Sequence, residues 1–272
     1  MKTNSKIMGV LGAATLSLAL MGGSAAAGDL FGRSAEGSVK DGPVEEGRKL
    51  NFSVNIGGTN DYVFRGISQN LEDPAIQGGV DLTYGLFYLG AWASNVDFVE
   101  GSPGANSGDA SIEVDIYAGI KPTLGMLTFD LGVIYYAYPG AHDAPNAELD
   151  YVEIKGGVSA AIEKLTLGFA VFYSPEYTAE TGQTWTLEGS AAYALPDVWI
   201  FSPSVSALVG TTLFEDNSGL DYAYWNAGLT LGVEKFSFDF RYWDTDSNGA
   251  DFCAAQGLCD ERFVFTAKVA LP

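Results

Sequence analysis

The chain has 272 residues, with 14 Lys and Arg against 34 Asp and Glu, a formal charge of −20. That balance argues against nucleic-acid binding, which needs clustered bases to neutralise phosphates, and the 47% hydrophobic and 13% aromatic content argues against disorder. A single His leaves a zinc enzyme or a His-based hydrolase poorly supplied, and no cofactor or metal is expected.

Residues 1–27 have the layout of a secretion signal. Lys2 and Lys6 precede an apolar run from Ile7 to Met21, and small residues end it at Ala25-Ala26-Ala27. The apolar run is short for a spanning helix, and the expectation is a cleaved signal on an exported chain. Residues 28–48 are polar and Gly-rich and read as a flexible periplasmic leader. The remainder, 49–272, is expected to form one barrel domain, because no later run is apolar enough to span a membrane as a helix.

After Lys49 the chain alternates with a period of two, the pattern of strands with unlike faces. Twelve candidate strands are centred near residues 55, 80, 91, 116, 131, 155, 169, 189, 207, 228, 239 and 266. In the clearest, Ile112, Val114, Ile116, Ala118 and Ile120 share one face, and Glu113, Asp115, Tyr117 and Lys121 share the other. No helix sorts residues in that way. The connections alternate in length. Long ones run from Arg65 to Asp73, Phe98 to Asp109, Tyr138 to Asp150, Ser174 to Gln183, Phe214 to Leu220 and Asp244 to Glu261. Short ones lie at Tyr84-Gly85-Leu86, Lys121 to Gly125, Glu163-Lys164, Leu195 to Pro203 and Glu234-Lys235. An even strand number with alternating short turns and long loops is the signature of an outer-membrane, transmembrane, antiparallel up-and-down β-barrel with short periplasmic turns.

Tyr84, Tyr135, Tyr173, Trp185, Tyr193, Trp225, Phe236 and Tyr242 fall toward strand ends, where rings mark a membrane boundary. A soluble lipocalin-like barrel would show the same alternation with the apolar face turned inward. The scarcity of Lys on the alternative outer face favours the membrane barrel.

A resemblance is carried by Asp61-Tyr62-Val63-Phe64-Arg65-Gly66-Ile67-Ser68-Gln69, Asp73-Pro74-Ala75-Ile76-Gln77-Gly78-Gly79, Gly90-Ala91-Trp92-Ala93-Ser94-Asn95, Tyr135-Tyr136-Ala137-Tyr138-Pro139-Gly140, Tyr151-Val152-Glu153 and Arg241-Tyr242-Trp243-Asp244-Thr245-Asp246. These landmarks resemble the TorF-like porin family of proteobacteria over nearly all of the chain after the signal. The resemblance implies a bacterial outer-membrane barrel with a channel role. The expected partners are outer-membrane lipid, lipopolysaccharide and the barrel assembly machinery; the sequence leaves the oligomeric state open. The chain departs from the usual aromatic terminus of such barrels by ending Val269-Ala270-Leu271-Pro272.

Candidates for chemistry are few. His142 beside Asp143 reads as a loop histidine, because no G-x-S-x-G accompanies it. Asp244-Thr245-Asp246-Ser247-Asn248-Gly249 copies half of a calcium loop, but Ala255 stands where the bidentate Glu belongs. Cys253 and Cys259 are expected to pair in the oxidising envelope, pinning a loop and contributing roughly 2 kcal/mol.

By parity the lumen carries Asp81, Glu113, Asp115, Asp130, Glu153, Glu188 and Asp239 against Lys121, Lys155, Arg241 and Lys268. Charges inside a barrel are either wet or paired. If wet, they line a passive diffusion channel for small hydrophilic solutes, with a mild cation preference. If paired, with Lys155 and Arg241 neutralising their neighbours, the barrel is filled and serves a structural or loop-mediated binding role. A membrane-embedded hydrolase is the third reading and lacks a triad, so an enzyme is not expected.

Overall fold

The computed structural model describes residues 49–98, 110–141, 148–246 and 257–271. The expected signal and leader lie outside these residues, as do His142 and Cys253. Strand β1 is Leu50–Thr59, β2 Ala75–Tyr84, β3 Phe87–Asn95, β4 Ile112–Ile120, β5 Leu127–Ala137 and β6 Tyr151–Ile162. They are followed by β7 Leu165–Ser174, β8 Thr184–Ala194, β9 Ser202–Phe214, β10 Tyr222–Val233, β11 Phe236–Thr245 and β12 Arg262–Leu271. Every expected strand centre falls inside one of them.

Each strand pairs antiparallel with the next, and β12 returns to β1 with Val54 opposite Leu271 and Thr59 opposite Thr266. The closed ring satisfies backbone groups that an open sheet would leave on its edges. The shortest of these strands has 9 residues and the longest 13, enough to cross a hydrocarbon layer at a tilt. The long connections gather at one end of the barrel, here the outer end, and the short turns at the other.

Facing decides what the periodicity alone left ambiguous. Ile112, Ile116, Leu131, Val133, Ile154, Phe169, Phe240 and Phe265 are exposed on the outside of the wall. Tyr84, Tyr193 and Phe236 are exposed near its inner rim and Tyr135, Trp185 and Trp225 near its outer rim. Outward rings also pair, Tyr173 with Trp185 at 4.7 Å and Tyr242 with Phe263 at 5.2 Å. An apolar surface this extensive, bounded by aromatic rims, is a lipid-facing belt. The soluble-barrel alternative required it to point inward.

The charged face is therefore the lumen, and it is packed. Its outer half holds buried Tyr136, Tyr138, Tyr151, Phe172, Tyr222, Tyr224 and Trp243. Glycines make room for these rings. A Cβ on Gly210 would stand 2.4 Å from the Tyr224 ring, so only glycine lets that ring lie against the neighbouring strand.

The connection from β1 to β2 departs from expectation. Its first part does not stand above the membrane; it turns down into the barrel as a short hairpin in which Val63–Phe64 pairs with Ile67–Ser68. Tyr62, Val63, Phe64 and Arg65 are all buried. Four apolar side chains in this connection, Tyr62, Val63, Phe64 and Ile67, gain burial against the aromatic lumen, which outweighs the hydration a surface loop would keep.

Candidate functional site: the lumen and its inward loop

At the tip of the inward hairpin the backbone turns through Arg65 at φ 49° and Gly66 at φ 84°. A Cβ on Gly66 would lie 2.4 Å from Thr245 Cγ2 and 2.9 Å from Tyr224 Cβ, so the tip is pressed against β10 and β11, three and two strands along the wall from β1. From that position Arg65 Nη1 and Nη2 donate to Glu153 Oε1 and Oε2 on β6 at 2.7 and 2.8 Å. The side chains of both residues are 1% exposed. The guanidinium also sits 4.8 Å from the Phe64 ring centre and 5.0 Å from that of Phe172.

Further bonds hold the hairpin. Tyr62 OH donates to Glu113 Oε1 at 2.7 Å, and Tyr136 OH donates to Glu153 Oε2 at 2.9 Å. Asp61 accepts from Ser68 Oγ at 2.7 Å and from Arg262 Nη1 at 2.8 Å. The backbone N–H of Ser68 donates to Leu258 O and that of Asp97 to Gln69 O, each at 2.9 Å, so neighbouring loops also grip the insert. The stacked rings of Tyr136 and Tyr151, 4.2 Å apart, form its floor on one side. Burial, reinforced by Glu113 and Asp115, pushes the Tyr62 phenol well above its ordinary range. Burial raises Tyr138 and Tyr177 in the same direction. Tyr62 and Tyr138 are held as donors to Glu113.

The eleven residues assigned by parity to the lumen are all buried or half-buried. Seven of them engage in pairs or short networks. Lys121 Nζ stands 3.9 Å from Asp130 Oδ2. Lys155 Nζ donates to Asp130 Oδ2 at 2.7 Å, while Tyr88 OH donates to Asp130 Oδ1 at 2.8 Å. Arg241 bonds Asp239 through Nε and Nη2, each at 3.0 Å, and reaches Asn226 at 2.5 Å and Ser206 at 2.9 Å. Glu188 accepts from Tyr224 OH at 2.6 Å and Asp81 from Tyr117 OH at 2.6 Å. Glu113 and Glu153 are tied to the hairpin as described, and Lys268 is half-buried toward the inner end. Asp115 differs: it is fully buried and neither carboxylate oxygen has a hydrogen-bond partner among the described residues.

Sequence reasoning missed Arg65, Tyr62 and Asp61, which belonged to a stretch noted only as a family landmark and, from Arg65, as the start of a long connection. The available signal was compositional, an Arg flanked by Phe64, Gly66 and Ile67. Among the described residues no group of three or more His, Cys, Asp or Glu is placed to hold a metal ion. In the half calcium loop, Asp244 accepts from the Thr245 N–H at 2.8 Å and Asp246 from the Ala223 N–H at 2.6 Å, so both carboxylates serve local backbone. Cys259 is buried, and its expected partner Cys253 lies outside the described residues.

A closed, belted, twelve-stranded antiparallel barrel with a charged lumen is the architecture of outer-membrane β-barrel proteins. The chain belongs to the Gcw_chp family, described as a bacterial protein of unknown function, whose model matches residues 45–270. No curated protein sequence matches it significantly. Among solved structures it is similar to the KdgM porin, at 7% identity and a TM-score of 0.52, covering 81% of this chain and 98% of that one. The KdgM porin in complex with disordered oligogalacturonate gives a TM-score of 0.53 at the same identity, covering 81% of this chain and 98% of that one. The COG4313 outer membrane channel from Pseudomonas putida F1 is also similar, at 12% identity and a TM-score of 0.45, covering 85% of this chain and 99% of that one. At these identities the likeness is one of fold.

Proposed function

We propose that the protein is an outer-membrane, porin-like channel that rests closed, with the hairpin between β1 and β2 as the closing element. The observation that carries this reading is the Arg65–Glu153 ion pair, buried to 1% exposure in the outer half of the lumen. The hairpin contributes no rung to the barrel, since β1 and β2 already pair from Leu50–Tyr84 to Thr59–Ala75. Withdrawing it therefore leaves the wall intact. The landmarks of the TorF-like family support the same channel class.

Cationic or neutral small solutes fit best. At the outer end the described bases, Arg65 and Arg262, are both consumed in ion pairs, while Asp73, Asp97, Glu148, Asp150, Glu176 and Asp216 crowd the same end. Such a mouth concentrates cations and repels polyanions. The oligogalacturonate in complex with the KdgM porin is a polyanion, whereas Arg65, Lys155, Arg241 and Arg262 of this lumen are all engaged in ion pairs.

A second reading, a permanently filled barrel that serves its outer loops, draws on the same burial and on the Lys155–Asp130 and Arg241–Asp239 pairs deeper in the lumen. Conductance separates the two. Mature protein in a planar bilayer should be silent or open only briefly, and a variant with residues 62–71 replaced by a short Gly-Ser linker should give steady steps with a cation-selective reversal potential. Silence of both folded proteins would establish the filled barrel instead.

A further inference from the structure

Three of the inner-rim connections contain a two-residue turn whose first central residue is a non-glycine with positive φ: Glu163 at 54°, Trp199 at 57° and Glu234 at 52°. Tight hairpins of this kind favour Gly or Asn at such a position, because a side chain there is strained. Two of the three are Glu-Lys, which shows that the backbone itself asks for nothing apolar. The third is Trp199-Ile200, flanked by Val198 and Phe201. It is a formed element, since Val198 and Phe201 exchange both backbone hydrogen bonds, at 2.9 and 3.0 Å. It is also the longest inner connection, lifting its tip away from the end of β8. Trp199 is 87% exposed, Val198 63% and Ile200 53%.

We infer that this turn is a membrane anchor whose Trp199 and Ile200 seat in the headgroup–acyl boundary of the periplasmic leaflet. Directly above it, the outward faces of β8 and β9 present Tyr193, Val205 and Val209 to lipid, so the tip continues an established apolar surface. The neighbouring turn between β6 and β7 supplies Lys164, whose backbone carbonyl accepts from Ala194 at the foot of the anchor, which brings a cation beside the anionic headgroups. An indole suits that boundary, having an apolar body and one polar N–H. The outward-facing Leu124 and Met126 in the turn between β4 and β5 give the rim a second apolar footing. This inference is independent of whether the lumen conducts.

The test uses the full mature chain reconstituted in phosphatidylethanolamine–phosphatidylglycerol vesicles containing phosphatidylcholine brominated at shallow or deep acyl positions. Trp199 fluorescence is taken as the difference between wild type and Trp199→Phe, which keeps an aromatic ring and the fold. Shallow bromine should quench that difference signal at least twofold more than deep bromine, and aqueous iodide should leave it nearly unchanged. Iodide quenching with no effect of either brominated lipid would overturn the anchor and place the tip in periplasmic water. A second variant, Trp199→Glu with Ile200→Lys, copies the neighbouring turns. It should still give a heat-modifiable barrel, and the emission it loses relative to wild type should be blue-shifted; a lost component at the wavelength of water-exposed indole would also overturn the assignment.

Discussion

Arg65 and Glu153 stand 88 positions apart in the chain, yet their side chains meet fork to fork at 2.7 and 2.8 Å inside the barrel. One belongs to a hairpin that adds nothing to the wall and the other to the wall itself, so the pair is the main polar tie between them. Removing one partner leaves a buried charge without compensation, a loss of about 3–5 kcal/mol, whereas removing both together is close to neutral. Arg65→Met should therefore lower the urea midpoint of the folded barrel markedly, and Arg65→Met with Glu153→Leu should recover most of it. Equal loss in the single and double variants would show that the pair is not the tie.

Gly66 gives a purely steric handle on the same hairpin. Its φ of 84° strains any side chain, and an added Cβ would stand 2.4 Å from Thr245. Gly66→Ala should loosen the hairpin by about 1–3 kcal/mol, the usual range for overpacking. Faster hydrogen exchange confined to residues 61–70 is the expected readout, with the β-strand amides unchanged.

Asp115 has no partner for either oxygen among the described residues and is fully buried beside Glu113 and Glu153. A buried group in that state opposes the closed lumen. Asp115→Asn keeps the shape while removing the acidic charge, and should raise the stability of the closed barrel by roughly 1 kcal/mol or more. A fall in the urea midpoint would show that the carboxylate is satisfied by ordered water.

The phenols around the hairpin set a pH limit. Tyr62, Tyr138 and Tyr177 are raised above the ordinary value of 10.0, chiefly by burial. In the unfolded chain they ionise near that value, while the native barrel keeps their protons, so stability is full below about pH 10 and falls as pH rises beyond it. Absorbance at 295 nm should show late-ionising tyrosines whose titration coincides with loss of the closed state. Replacing Tyr62 by Phe should move that loss upward in pH.

The wall was largely legible in the sequence because its rule is local. Alternation over Ile112–Ile120 or Phe236–Thr245 fixes a strand, its two faces and its neighbours' register without reference to distant residues. The same parity placed Asp130, Glu153 and Arg241 on one side. Whether that side was wet or paired was not legible, because Lys155 with Asp130 and Arg65 with Glu153 are cross-strand or cross-lumen matches that no periodicity encodes. The inward hairpin was hidden for a related reason. Asp61 to Gln69 shows only that the alternation has ended; that the chain then turns toward the axis depends on aromatic partners such as Tyr136 and Phe172 far along the sequence.

In the proposed closed channel the Arg65–Glu153 tie holds the hairpin in the lumen, and charge exchange with single-channel recording tests that role. Arg65→Glu and Glu153→Arg each place like charges face to face and should yield conducting barrels, while the double variant restores an opposite pair and should return to silence. A double variant that conducts as freely as either single, or a wild type that already conducts at the same step size, would contradict the account.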